Sequence, residues 1–169
     1  MFIYDKAIIF YHEFGHVFDN QKHYYVDKGY NWQGNVEGKE FLEREAYTFW
    51  GEYYAQSMAI SEGQAYIKNI DSRLEELINE INNINQSGHS YVKGNNILYF
   101  FAHYCAFCDW YKQEINFAQL RSRVQNDKYV LYLERIKNIL YKMKAVYPQK
   151  TNREDMLDLM ESIEDLYVL

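Results

Sequence analysis

The sequence contains little proline, little glycine and no long apolar run, and each of these features excludes some kinds of protein. Its 169 residues include one proline, Pro148, and eight glycines, most of them in the stretches 27–40 and 86–96, which we interpret as the main loops. The longest apolar run, around Ile97 to Cys108, is interrupted by His103 and is far shorter than the roughly 20 residues that cross a membrane. The N-terminus lacks the charged, apolar, small-residue order of a signal peptide, so we expect a soluble cytoplasmic protein.

Cysteine occurs only twice, at Cys105 and Cys108 in the segment HYCAFCDW. A single C-x-x-C pair without a second pair is a weak signal for zinc. A redox pair normally lies where a strand meets a helix, whereas this pair falls within an aromatic, helix-like run. We therefore interpret both residues as buried free thiols in a reducing compartment.

Positive charge is also scarce, because 18 Lys and Arg residues stand against 24 Asp and Glu residues, and the formal net charge is −6. This balance argues against binding along a nucleic-acid backbone, which requires a positive field. Within the chain, residues 135–150 are basic and residues 153–169 are acidic. We interpret these segments as two solvated helix faces that can pair with each other.

Aromatic residues, by contrast, make up 18% of the chain and include 18 Tyr. With 48% hydrophobic residues, a chain of this length can bury one ordinary core and is too short for two large domains. Tyr is favoured where one end of the ring is buried and the other stays hydrated. We therefore expect amphipathic surfaces or a wide polar groove.

The spacing of the apolar residues predicts a mainly α fold. Asp5 is expected to cap a first helix that passes through Phe14 and Phe18. Five further helices are predicted at about 39–60, 61–85, 96–114, 118–146 and 152–166, and Thr151 or Asn152 is expected to begin the last of them. Strict alternation is nearly absent, and the only short strand candidates are 23–26 and 89–92.

The strongest functional signal is the H-E-x-x-H motif formed by His12, Glu13 and His16. On a helix, residues 12 and 16 are one turn apart and project from one face, which suits two neutral nitrogen ligands of a tetrahedral Zn²⁺ ion. Glu13 is displaced from that face and can accept a proton from a metal-activated water. The composition of this chain would produce the motif by accident about 1% of the time. The alternative is a metal-free helix whose two histidines happen to fall four apart.

Gly15 stands directly before His16, inside the predicted motif helix. Glycine in a helix interior costs up to ~1 kcal/mol relative to alanine. We therefore expect another element to pack closely behind this helix. The alternative is a surface glycine that the helix tolerates.

A third metal ligand can come from the glutamates of segment 38–56, which are Glu40, Glu43, Glu45 and Glu52. We favour Glu45, because on a helix it falls in an apolar stripe with Leu42, Phe49 and Tyr53. A carboxylate in such a stripe is costly unless it is paired or bound to a metal. Glu43, on another face, is the second candidate, and a solvated charge is the alternative for any one of them.

H-E-F-G-H, followed by a helix that reads E-R-E-A-x-x-F, resembles the gluzincin class of zinc metallopeptidases. Within that class the nearest resemblance is to the ImmA/IrrE-type peptidases of bacteria and phages, and HEFGHVFD is also similar to a motif of the anthrax lethal factor catalytic domain. The resemblance covers about residues 5–56, although Trp50 stands where ImmA/IrrE-type proteins tend to have Ala. It implies that His12, His16 and Glu45 bind Zn²⁺ and that Glu13 is the general base and acid.

The resemblance also implies a β-sheet before the motif helix, with an edge strand that binds the substrate backbone. Only eleven residues precede His12. Either the chain is trimmed, or a partner chain supplies the strand, or the substrate is held differently. The expected fold is therefore a zincin-like helical core at 1–60, with a small or missing sheet, and a helical bundle at 61–169 packed on it as one compact domain.

A zinc hydrolase also needs a hydrogen-bond donor to the developing oxyanion. Enzymes of the resembled class use Tyr or His, and the sequence does not choose among Tyr24, Tyr30, His23, His89 and His103. At His103 the alternative is a buried histidine with its hydrogen bonds satisfied. Asp19 is predicted either to orient a ligand through a hydrogen bond or to end the helix.

Together these features predict a zinc-dependent peptidase in which Glu13 activates water held by the metal. The resemblance alone implies the substrate class, a specific intracellular protein such as a repressor or a toxin-system partner. We expect neither nucleic acid nor a membrane as a partner. The alternative is a non-catalytic helical interaction module with a structural or vestigial metal, its fourth position closed by a protein ligand such as His23.

Overall fold

The computed structural model describes residues 2–22, 38–63, 70–84, 91–146 and 153–167. Within these ranges the chain forms seven helices and no strand, which confirms the predicted mainly α fold. In chain order the helices are α1 (Phe2–Lys22), α2 (Gly38–Gly63), α3 (Ile70–Ile84), α4 (Tyr91–Tyr111), α5 (Phe117–Arg123), α6 (Lys128–Val146) and α7 (Arg153–Tyr167). None of these seven has the length and apolar character needed to cross a membrane.

Helix α2 is the centre of the structure and packs against α1, α4 and α7. Its apolar stripe buries Phe49 and Trp50 completely, and the Phe49 ring stacks on Phe101 of α4 with centroids 6.2 Å apart. Helix α3 covers another side of α4, and α6 packs on α7. An aromatic stripe of this size gives α2 most of its stabilisation through burial, because each large ring removes 150–250 Å² from water.

The prediction of one continuous helix at 118–146 is wrong, because the segment forms two helices, α5 and α6. Val124 adopts an extended conformation (φ −96°, ψ 147°) that ends α5. Asn82 of α3 stabilises the break: its side chain donates to the Arg123 carbonyl at 3.1 Å and accepts from the Gln125 amide at 2.9 Å. Asn82 lies 41 positions before Arg123, so the apolar spacing of residues 118–146 could not predict this contact or the break that it stabilises.

Other assignments also differ from the prediction, and α4 runs from Tyr91 to Tyr111 where a helix at 96–114 was predicted. Helix α1 begins at Phe2, so Asp5 lies inside it and does not cap it. Residues 61–63 belong to α2, whereas the prediction placed them in the following helix, which is described from Ile70 to Ile84. The strand candidate at 89–92 is wrong in its second half, because residues 91 and 92 are helical. Residues 23–26, 64–69, 89–90 and 151–152 lie outside the described residues.

A polar node holds α4 between α2 and α6. Asp109 accepts hydrogen bonds from Tyr53 at 2.5 Å, from Tyr141 at 2.9 Å and from Lys144 at 2.8 Å. Since Tyr53 belongs to α2, this node fixes the position of α4 relative to the central helix.

The two cysteines of α4 are free and buried, as predicted. Burial raises the pKa of both thiols, that of Cys108 to about 11. A thiol with a raised pKa is a poor nucleophile and a poor metal ligand at neutral pH.

The basic and acidic segments near the C-terminus meet where α6 packs on α7. Arg135 and Asp165 form an exposed ion pair with a separation of 2.9 Å. The predicted pairing of the two faces is therefore confirmed at this position, although an exposed ion pair contributes little stability.

Candidate metal centre

Helices α1 and α2 approach each other most closely at Gly15 and Ala55. A Cβ added to Gly15 would lie 2.7 Å from the Ala55 Cα and 3.3 Å from the Ala55 Cβ. No larger side chain fits at position 15 unless the helices move apart. The prediction that another element packs closely behind the motif helix is confirmed, and the surface-glycine alternative is wrong.

This crossing brings the two motif histidines to Glu52 of α2. The Nε2 atoms of His12 and His16 are 3.2 Å apart. The Glu52 Oε2 atom lies 3.4 Å from the Nε2 of His12, and its Oε1 atom lies 3.5 Å from the Nε2 of His16. The His16 ring lies against Gly51, where a Cβ would make ordinary van der Waals contact with the His16 Nδ1 atom at 3.5 Å.

Helix α4 adds a third histidine to this group. The Nε2 atom of His103 lies 3.3 Å from the Oε2 atom of Glu52. The His103 side chain is only 3% exposed, and its Nδ1 atom is buried without a hydrogen-bond partner. His12, Glu52 and His103 each offer one ligand atom within 4.8 Å of the other two, so together they could hold a metal ion.

The separations between these atoms agree with those in a tetrahedral zinc site. Ligand atoms ~2.0–2.1 Å from a zinc ion stand about 3.3–3.4 Å from one another in a regular tetrahedron. Three separations lie near this value: 3.2 Å between His12 and His16, 3.4 Å from His12 to the Glu52 Oε2 atom and 3.3 Å from His103 to the same oxygen. His16 lies 3.5 Å from the other Glu52 oxygen and is not part of the group whose ligand atoms all lie within 4.8 Å of one another. The geometry therefore supports an ion most directly at His12, Glu52 and His103.

The electrostatics of the group also suit a cation. Burial alone would raise the pKa of Glu52, but hydrogen bonds from His103, His12 and His16 outweigh it and hold that pKa well below its ordinary value. The hydrogen bond to Glu52 raises the pKa of His16, while burial opposes the shift. Burial lowers the pKa of His103, which favours the neutral imidazole, the form with a free lone pair for a metal.

Glu45, the carboxylate favoured by the sequence, has a different environment. It is 3% exposed, accepts a hydrogen bond from the Tyr167 hydroxyl of α7 at 2.9 Å and lies 3.6 Å from Arg44. Residue 52 is two helical turns further along the same face of α2, about 10 Å away. That later turn meets the histidines of α1, so the structure brings Glu52, and not Glu45, next to them. The second candidate, Glu43, is half-buried and is not part of the group.

The other predicted site residues are distributed as follows. Glu13 is exposed on α1, and its charge contributes to the raised pKa of His16. Asp19 is buried and accepts a hydrogen bond from the Trp50 indole at 3.1 Å, and its charge acts on His16 in the same direction. Asp19 therefore helps to join α1 to α2 beside the group. The oxyanion candidates Tyr24, Tyr30, His23 and His89 lie outside the described residues.

Glu52 was only one of four candidate glutamates in the sequence, and His103 was considered as an oxyanion donor but not as a metal ligand. A signal for Glu52 exists: Gly51 and Ala55 are small residues one turn apart, and they mark the face of α2 that can approach Gly15. For His103 the signal is weaker, a single histidine in an apolar run. No protein-family model matches the chain, and comparisons with curated proteins and with solved structures likewise find no match.

Proposed function

We propose that this chain is a zinc-dependent peptidase that hydrolyses a peptide bond in a protein substrate. His12, His16 and Glu52 would hold the ion, and Glu13 would act as the general base. The observation that carries this proposal is the set of imidazole and carboxylate atoms at tetrahedral separations where α1 crosses α2. The resemblance of H-E-F-G-H to the gluzincin motif supports the same chemistry.

The ligand types favour zinc over the other common divalent ions. Two imidazoles and one carboxylate form a mixed nitrogen and oxygen set of the kind found in catalytic zinc sites. Magnesium and calcium prefer oxygen ligands in larger numbers. In the protein without an ion, the Glu52 carboxylate is balanced by hydrogen bonds from the imidazoles, and a divalent cation would replace those hydrogen bonds.

Glu13 is suited to proton transfer because it is exposed and adjacent in sequence to His12. A zinc ion at this group would lower the pKa of water and polarise the carbonyl of the scissile bond. Glu13 would accept the proton of the attacking water and deliver it to the leaving amine. Its removal should therefore abolish turnover and leave the ligand set intact.

The exposed surface around Glu13 favours a protein substrate over a small polar molecule. Four large apolar side chains of α1, those of Ile9, Phe10, Phe14 and Val17, are 61%, 63%, 47% and 52% exposed. The rings of Phe10 and Phe14 stack with centroids 6.2 Å apart. Adjacent exposed apolar side chains of this kind mark binding sites for proteins or peptides. We infer that apolar side chains of the substrate contact this face of α1 while the scissile bond reaches Glu13.

The test compares Glu13→Gln with the wild-type protein on a proteome-derived peptide library. Both proteins are loaded with zinc to the same stoichiometry, and new peptide N-termini are identified by mass spectrometry. We expect cleavage by the wild type, none by Glu13→Gln, and undiminished cleavage by Glu114→Gln, in which an exposed glutamate outside the group is changed. Equal product from the wild type and Glu13→Gln would contradict the assigned role of Glu13.

A second candidate function is a helical interaction module in which the metal only joins the helices. The observation that favours it is the presence of His103, a third imidazole that approaches Glu52. A structural zinc site has four protein ligands, whereas a catalytic one leaves a position for water. For this candidate the library experiment gives no cleavage by either protein, while zinc removal still lowers the unfolding temperature.

A further inference from the structure

We propose that His103 is a fourth protein ligand of the same ion, which closes the resting site with side chains from three helices. This inference rests on the metal site of the proposed function and adds a means of regulating it. With His103 bound, water or a substrate carbonyl reaches the ion only as a fifth ligand or by displacing this imidazole. The resting protein would then cleave peptides, but more slowly than a protein with an open position on the ion.

The first support is distance. The Nε2 atom of His103 is 3.3 Å from the Glu52 Oε2 atom, and its ring centroid is 5.6 Å from that of His12. His103 thus approaches Glu52 as closely as the two histidines of α1 do, at 3.4 and 3.5 Å. A histidine that only hydrogen-bonded to Glu52 would not need to lie near His12 as well, yet His12, Glu52 and His103 form one group of ligand atoms within 4.8 Å of one another.

The second support is burial without compensation. His103 is 3% exposed and keeps one ring nitrogen, Nδ1, buried without a hydrogen-bond partner. Burying an imidazole is costly, and the contact of Nε2 with Glu52 offsets part of that cost. A bond from Nε2 to a divalent ion would offset more of the cost of burying the ring, because the free energy of metal binding contributes directly to folding, while Nδ1 has no partner with or without the ion.

The third support is the rigidity with which His103 is held. The ring of Tyr99, one turn earlier on α4, lies 4.2 Å from the His103 ring. The same helix is joined to α2 through Asp109 and Tyr53. His103 is therefore positioned before an ion binds, as a ligand from a third helix must be if it is to complete a preformed site.

Cobalt substitution of the 169-residue chain tests the inference through the exchangeable position on the ion. Three protein ligands leave a position that water occupies and azide can take, whereas four protein ligands leave none. We expect no spectral response to azide from the wild type or from Tyr99→Phe, a control that keeps the aromatic ring beside His103. His103→Ala should show a spectral response to azide and a loss of zinc affinity of about tenfold or more.

Zinc X-ray absorption of the wild type provides a second measurement that does not depend on how well the variant folds. Three imidazoles at the ion support the inference, whereas two overturn it. A wild-type cobalt spectrum that responds to azide would also overturn it, while leaving the proposed peptidase intact. Failure of the wild type to bind cobalt or zinc at all would overturn both proposals.

Discussion

The backbone of Gly15 packs directly on Ala55, and this contact sets how far apart α1 and α2 lie. A glutamate side chain is short, so Glu52 reaches the imidazoles of His12 and His16 only across a narrow gap between the helices. Gly15 therefore allows α1 and α2 to lie close enough for Glu52 to reach the two histidines.

Gly15→Ala should destabilise the protein and weaken metal binding together. The new methyl group would overlap the Ala55 Cα, and overpacking of this kind costs roughly 1–3 kcal/mol. The displaced α1 would carry both histidines away from Glu52. Urea unfolding, followed by circular dichroism, and zinc titration measure the two effects.

Gly51→Ala is the matched control for that variant. Its Cβ would meet the His16 Nδ1 atom at 3.5 Å, which is ordinary van der Waals contact. Because alanine is the better helix former, we expect a stability gain of up to ~1 kcal/mol and unchanged metal binding. Equal effects of the two substitutions would contradict the importance assigned to the Gly15 contact.

Glu52→Gln and Glu45→Gln should differ sharply in zinc affinity. Glu52 lies among the imidazoles, so loss of its charge removes a ligand, and we expect zinc affinity to fall by more than the ~10–100-fold typical of an outer-shell partner. Glu45 hydrogen-bonds to Tyr167 instead, so its substitution should leave the affinity within about twofold. Competition with a chromogenic chelator measures both values, and the reverse order would return the third ligand to Glu45.

Glu45→Gln should also raise stability at neutral pH. Burial raises the pKa of Glu45 above its ordinary value of 4.5, with the Tyr167 hydrogen bond opposing the shift. A group whose folded pKa is raised stabilises the protein below its unfolded pKa, and this contribution is lost as the pH rises through the folded pKa. Glutamine removes the cost of the buried charge while keeping an acceptor for Tyr167.

The pH dependence separates this effect from a general change in packing. The advantage of Glu45→Gln over the wild type should be largest near pH 7, should fade as the pH falls through the raised folded pKa of Glu45, and should be gone below about 4.5. Thermal unfolding at a series of pH values gives the comparison. An advantage that does not change with pH would show that the charge of Glu45 is not its source.

Phe14→Ser should lower cleavage without changing stability or zinc content. The Phe14 side chain is 47% exposed beside Glu13, so it contributes more to the proposed substrate face than to the core. We expect a higher KM at a kcat close to that of the wild type, measured on a peptide recovered from the library. Leu131→Ser, at a site on α6 with 51% exposure, is the control and should have no effect on cleavage.

The sequence predicted the helical fold, the motif helix and its close packing because these depend on local chemistry. Apolar spacing identifies a helix, and a glycine inside one predicts a close neighbour. The division of the 118–146 helix was missed because Asn82, which stabilises the break, comes from α3.

The choice between Glu45 and Glu52 was beyond the sequence for a similar reason. The two residues are seven positions apart and share one face of α2, so periodicity treats them alike. The contact between Gly15 and Ala55 decides which turn of α2 meets α1. Glu45, on another turn, instead accepts a hydrogen bond from Tyr167 of α7. His103 depends on the packing of α4 against α2, which no local pattern encodes.

The most direct test of the central claim is a crystal structure of the zinc-loaded protein with anomalous data on both sides of the zinc edge. The account predicts one anomalous peak ~2.0–2.1 Å from the Nε2 atoms of His12 and His16 and ~2.0–2.2 Å from a Glu52 oxygen. A peak bound by other side chains, or well-ordered His12 and His16 rings without any peak between them and Glu52, would contradict it.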